Sequence, residues 1–213
     1  MYRCEAMSVE GFVQQLAVQY LAHGYWFYVA GSIPDGKDPQ QIDRKLIERY
    51  DVGLSKWAKA RRRAKGLAAV QYLRHGRFFL LLATHGRHAF FDEEHRVLRD
   101  ARRRPILFAG YAIGWRGGHA HVRIAKPEFE RLRSELSAAA LVSIPLQLEA
   151  RFRALRFEPY APVRRQVLSL YRAVNRLRRT AGMESIAIDC VRMRRRIRRP
   201  FEDQGEAEWR SAR

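Results

Sequence analysis

The chain has 213 residues, with 41 Lys and Arg against 22 Asp and Glu and a formal net charge of +19 at pH 7. Its 47% hydrophobic and 11% aromatic content belongs to a folding chain and excludes a disordered basic tail. Apolar runs such as FFLLLA at 78–83 are cut by arginine within a few positions, so no window approaches the roughly 18 apolar residues of a membrane span.

MYRCEAMSVEGFV carries glutamates where a signal peptide has basic and apolar regions, and Cys4 and Cys190 are the only cysteines, so a reducing cytoplasm is the expected location. From Ser8 to Leu21 the chain predicts a helix capped by Ser8, with Val9, Phe12, Val13, Leu16 and Tyr20 at helical spacing. YWFYVAGSI at 25–33 predicts a buried strand. Asp38 and Pro39 open a second helix whose stripe runs from Ile42, Leu46 and Tyr50 on to Leu54 and Trp57. Its last turns carry Lys56, Lys59, Arg61, Arg62, Arg63 and Lys65. One or two cations satisfy a helix C-terminus, at about 0.3–1 kcal/mol each, so six point to phosphate contact.

AAVQYL and FFLLLAT around RHGR predict a hairpin, followed by a short helix capped by Asp92 and stopped by Pro105. ILFAGYAIGW and HAHVRIA predict a second hairpin, with Gly117 and Gly118 at its turn and Trp115 and Arg116 exposed at its tip. Pro127 opens a helix with Phe129, Leu132 and Leu136 inward. The expected fold is α+β, an antiparallel sheet with packed helices over residues 1–140, compatible with a ferredoxin-like order.

Residues 141–200 read as an arginine-rich, mainly helical region, and 201–213 as a frayed polar tail. Pro162 begins a helix whose stripe is Val163, Val167, Leu170, Val174 and Leu177, with Arg164, Arg165, Arg172, Arg176, Arg178 and Arg179 on its other faces. SIAIDCVRM carries a strand signal. The run RMRRRIRRP then places Arg192, Arg194, Arg195, Arg196, Arg198 and Arg199 within nine residues.

Residues 151–200 hold 15 arginines against Glu158, Glu184 and Asp189. A GC-rich coding sequence explains arginine in place of lysine, but it does not explain the missing acids. Such a segment repels itself without a polyanion, and guanidinium forks match phosphate oxygens and guanine edges. The first reading is therefore a DNA- or RNA-binding protein that contacts the phosphate backbone through arginine-rich helices and requires no cofactor. An anionic membrane surface is the competing polyanion, and a ribonucleoprotein component clamping structured RNA is a further alternative.

His119 and His121 flank Ala120 on a predicted strand, where residues i and i+2 share a face. This tripeptide resembles the His-hydrophobic-His motif of the HUH endonucleases, the replication initiators, relaxases and small transposases of mobile elements. The resemblance implies a ferredoxin-like sheet and a divalent metal, Mg²⁺ or Mn²⁺, held by His119, His121 and a third polar ligand drawn from His85, His88 or Gln71. It also implies a tyrosine nucleophile, Tyr160 or Tyr171, that nicks single-stranded DNA. The same histidine pair equally suits a polar strand face touching phosphate. Phosphate-loop, dinucleotide, nucleophile-elbow and HExxH motifs are missing from the sequence.

Overall fold

A computed structural model describes residues 2–202. Among these residues the chain forms seven α-helices and two antiparallel sheets of four and three strands, the α+β class that the sequence predicts. It divides into two compact units. One comprises the residues up to Ile106, Ile113–His121 and the segment from Arg198; the other comprises Leu107–Ala112 and Val122–Ile197.

In the first unit, α1 (Val9–Gln14) starts at Ser8, whose Oγ accepts the Gly11 N–H at 3.1 Å. The predicted single helix to Leu21 instead widens into a π-helical stretch at Gln15–Tyr20 and tightens into a 3-10 turn at Leu21–His23. Phe12, Leu16 with Ala17, and Tyr20 with Leu21 follow at intervals of four to five residues, and the wider pitch keeps all of them buried. Gly11 faces the returning chain. A Cβ there would stand 2.9 Å from the Cα of Pro200, whose carbonyl accepts the Met7 N–H at 2.9 Å.

Next come β1 (Phe27–Ser32), α2 (Pro39–Arg49), α3 (Lys56–Ala64), β2 (Val70–His75), β3 (Phe78–Ala83), α4 (Ala89–Glu93) and β4 (Arg99–Asp100). The sheet order β2-β3-β1-β4, with two helices between β1 and β2 and one between β3 and β4, matches the ferredoxin-like strand order. Phe27 pairs with Ala83 and Ser32 with Phe78, while Val70 pairs with Ala83 and His75 with Phe78, so β3 lies between two full-length partners. Its core gathers Val29, Tyr50, Val52, Tyr72, Leu81 and Phe90.

Two helix boundaries differ from the sequence expectation. The stripe from Ile42 does not reach Trp57, because the chain turns at Asp51, whose φ is +52°, and buries Tyr50 and Val52 in the turn. Ser55 then caps α3 by accepting the Ala58 N–H, and Trp57 is left 79% exposed. The helix expected from Asp92 to Pro105 instead spans only Ala89–Glu93, capped by His88 Nδ1, which accepts the Phe90 N–H at 3.0 Å, and β4 lies where its later turns were expected. That start lets Phe90 pack edge-on against Tyr50 and Phe91 against Phe27.

A second sheet takes β5 (Ile106–Phe108), β6 (Tyr111–Arg116) and β7 (His119–Ile124) in that order, with Gly117 and Gly118 at positive φ in the expected turn. Trp115 is not an open platform, since its ring lies 5.7 Å from that of Trp26.

The second unit is built on α5 (Lys126–Ala140), α6 (Pro145–Arg153) and α7 (Ala161–Thr180). Val163, Val167, Leu170 and Val174 are buried, as the stripe predicts, and Gln166 ties α7 to β7 by accepting the Ile124 N–H at 2.8 Å and donating to its carbonyl at 3.1 Å. The stripe then drifts. Leu177 is partly exposed, while Arg178, only 2% exposed, takes the inward position. Its guanidinium donates to the carbonyls of Ala140 and Ser143 at 2.8 Å and to that of Glu184, closing the C-terminal end of α5.

Residues 181–200 contain neither the strand expected at SIAIDCVRM nor a helix at RMRRRIRRP. The described chain there is irregular apart from a 3-10 turn at Ile188–Cys190. Side chains satisfy its backbone instead. The Asn175 amide holds the N–H and C=O of Ile186, the Glu158 carboxylate accepts the Arg196 N–H, and Gln14 brackets the N–H and C=O of Arg198. The tail predicted over 201–213 lies outside the described residues beyond Glu202.

Candidate nucleic-acid interface

The 20-residue helix α7 contains no Asp or Glu. Arg165, Arg172, Arg176 and Arg179 are exposed at successive intervals of seven, four and three residues, which keeps them on one face. At 1.5 Å per residue this face is about 21 Å long. No carboxylate of the described residues lies within ion-pair distance of these four or of the exposed Arg164. Neighbouring α5 is the contrast. There Arg131 pairs with Glu128 at 2.7 Å and with Glu135, and Arg133 pairs with Glu130 at 3.7 Å, so both arginines are paired within the helix.

The arginine strip is fastened to the start of α7. Glu158, a buried carboxylate, accepts from Arg192 Nη2 at 2.7 Å with one oxygen and from the Arg196 N–H at 3.1 Å with the other. Arg164 reaches the Met193 carbonyl at 3.5 Å, and the Arg195 guanidinium sits 4.8 Å above the Tyr160 ring. Two basic runs separated by about thirty residues of sequence therefore meet, with Arg194, Arg195 and Arg196 exposed and their guanidinium groups without a carboxylate partner among the described residues. Arg192 is different: its charge is paired with Glu158. Farther along, Arg199 pairs with Glu202 at 3.1 Å, and Arg198 is half-buried, its backbone held by Gln14.

In the first unit the cluster on α3 divides. Lys56, Arg61, Arg63 and Lys65 are exposed, and Arg62 pairs with Asp51 at 2.9 Å. Lys59 is only 7% exposed; its ammonium donates to Gln71 Oε1 at 3.1 Å and lies 5.4 Å from the Tyr2 ring centroid. Burial lowers its pKa to about 8. Arg116 is exposed at the end of β6.

His119 and His121 lie on β7, an outer strand of the three-stranded sheet, and His119 Nδ1 is 2.9 Å from the Gly117 carbonyl oxygen. No group of three His, Cys, Asp or Glu side chains among the described residues is placed to hold a metal ion. The three candidates for a further ligand are engaged elsewhere in the first unit: His88 caps α4, His85 packs 6.4 Å from Phe27, and Gln71 accepts from Lys59 and Tyr2. Of the two tyrosines, Tyr171 donates to the Ile186 carbonyl at 3.1 Å. The Tyr160 hydroxyl is enclosed, and burial raises its pKa, partly offset by Arg195.

Three roles are missing from the sequence reading. Glu158 anchors the strip, Arg178 serves the fold instead of the surface, and Arg3 joins the α3 cations at a cleft. The one available signal was that Glu158 is the sole acid between residues 150 and 183. No helix among the described residues is long and apolar enough to cross a membrane. Searches against family models and against curated proteins find no match to this chain.

Proposed function

We propose that the chain binds nucleic acid through its second unit, with the exposed face of α7 and the strip at Arg194–Arg196 contacting phosphates. The observation that carries this reading is the absence of compensating acids. A helix with five exposed arginines and no ion partner among the described residues stands beside α5, whose arginines are paired. A stripe of unneutralised guanidinium groups repels itself in water and is relieved by a linear polyanion that releases its condensed counterions on binding. Arginines held by helical spacing and by the Glu158 anchor set register on a backbone without reading bases.

The test is the salt dependence of binding to labelled single- and double-stranded DNA and RNA. Replacing Arg172, Arg176 and Arg179 together by Ala should lower the slope of log K against log salt by about 2 to 3, at roughly 0.7–0.9 for each phosphate no longer neutralised. Arg131→Ala with Arg133→Ala removes paired charges and should leave the slope near wild type. Equal slopes for both variants, or binding to anionic vesicles in preference to all four polynucleotides, would overturn the reading.

A further inference from the structure

A cleft of ≈ 590 Å³ opens in the first unit between α3, the π-helical stretch and the N-terminal segment. Four cations, Arg3, Lys56, Lys59 and Arg63, line it together with His23, and among the described residues no Asp or Glu lines it. The inner wall is a chain of polar contacts. The Tyr2 hydroxyl donates to Gln71 Oε1 at 2.9 Å, Lys59 Nζ donates to the same oxygen at 3.1 Å, and the Tyr20 hydroxyl lies 3.4 Å from that of Tyr2. Burial keeps Tyr2, Tyr20 and Tyr25 protonated, so none of them supplies a negative charge.

Lys59 sits at the centre of the problem. Its ammonium has three N–H donors, makes one hydrogen bond to a neutral amide oxygen, and has no carboxylate among the described residues within ion-pair distance. A buried cation without a counter-ion is among the costlier features a fold can carry. The cost is relieved when a ligand brings the missing charge. A single carboxylate would leave three of the four cations uncompensated, whereas a phosphate monoester brings nearly two negative charges and oxygens for both ammonium and guanidinium. The volume falls in the range of small-molecule sites and exceeds what a bare phosphate needs.

We propose that this cleft binds a terminal phosphate monoester attached to a nucleoside-sized body, with the phosphate on Lys59 and Arg63 and the remainder along the tyrosine wall. Two sources share this chemistry: a free mononucleotide and the phosphorylated end of a polynucleotide. The site stands on the cleft alone and does not require the α7 face to bind nucleic acid.

The test uses the full chain and calorimetric titration with inorganic phosphate, adenosine 5′-monophosphate and adenosine. The expected result is saturable binding of the monophosphate, weaker binding of inorganic phosphate, and none of adenosine. Lys59→Met, close in shape, and Arg63→Ala, at an exposed position that does not threaten folding, should each weaken the monophosphate at least tenfold, while Arg133→Ala, an arginine paired with Glu130 on α5, leaves it unchanged. Oligonucleotides with a 5′-phosphate or a 5′-hydroxyl separate the sources. A preference for the phosphorylated end that Arg63→Ala abolishes assigns the site to polynucleotide termini; a mononucleotide effect without that preference assigns it to the free ligand. Indifference to phosphate across all probes, or full affinity in both variants, would sink the proposal.

Discussion

Arg192 donates to the buried carboxylate of Glu158 at 2.7 Å, and the other oxygen of that carboxylate accepts the Arg196 N–H at 3.1 Å. One acid thus holds a segment that has no helix or strand to organise it. Glu158→Ala leaves a backbone N–H and a guanidinium without their acceptor. The expected loss is about 2 kcal/mol, with the Arg192 share reduced because that side chain is partly solvated. Limited trypsin digestion should show faster cleavage after Arg194, Arg195 and Arg196 in the variant, while cleavage within α7 keeps its rate. Unchanged cleavage of the strip would mean that contacts other than Glu158 order it.

Arg178 presents the opposite case, an arginine whose charge is turned inward on three carbonyls. Arg178→Met leaves those carbonyls without donors, and the denaturation midpoint should fall by the equivalent of roughly 3 kcal/mol at constant m-value. Arg178→Lys restores part of this, because an ammonium reaches one or two of the oxygens but cannot fork across all three. The salt slope for polynucleotide binding should stay at the wild-type value in Arg178→Lys. A reduced slope would place this residue on the interface after all.

These two residues also mark where the sequence stopped being legible. The hairpins were readable because apolar runs flank Gly76 and the pair Gly117–Gly118, and α7 was readable from the spacing of Val163, Val167, Leu170 and Val174. Arg178 looked like its neighbours, yet it lies four residues beyond Val174, on the stripe and not beside it. The mainly helical reading of 141–200 does not extend to Arg192–Pro200, where charges are dense but no apolar spacing exists to dock a helix. The cleft was invisible for a simpler reason: Tyr2, Arg3, Lys59 and Gln71 come together only through the fold, and none of their local sequences signals a site.

The two thiols are predicted to be inert in the native protein. Burial, reinforced by the neighbouring Asp43 carboxylate, pushes Cys4 up to about 12, and burial with the nearby Glu149 pushes Cys190 up to about 11. Iodoacetamide at pH 8 should modify neither residue on the timescale that labels both in denaturant. The folded thiols keep their protons above pH 9, where an unfolded chain releases them, so the native state binds more protons and these groups lower stability as pH rises from about 9. Fast native-state labelling of Cys4 would show that the N-terminal segment opens readily.

Lys59 carries the reverse linkage. Burial lowers its amine from 10.5 to about 8, so below pH 8 both folded and unfolded chains hold the proton and the native state bears the full cost of the buried charge. Between about pH 8 and 10.5 the folded chain has released this proton and the unfolded chain has not. The unfolded state then binds more protons, and this residue's contribution to stability rises with pH. Burial raises the neighbouring Tyr2, Tyr20 and Tyr25, so these hydroxyls keep their protons and do not oppose the trend. The measurement is the difference in unfolding free energy between wild type and Lys59→Met from about pH 7 to 9.5, which cancels the opposing thiol contribution. It should shift in favour of wild type as pH rises. Sulfate, which keeps its charge throughout, should bind the cleft more weakly over the same interval, and a flat profile in both experiments would show that Lys59 is solvated and its charge compensated.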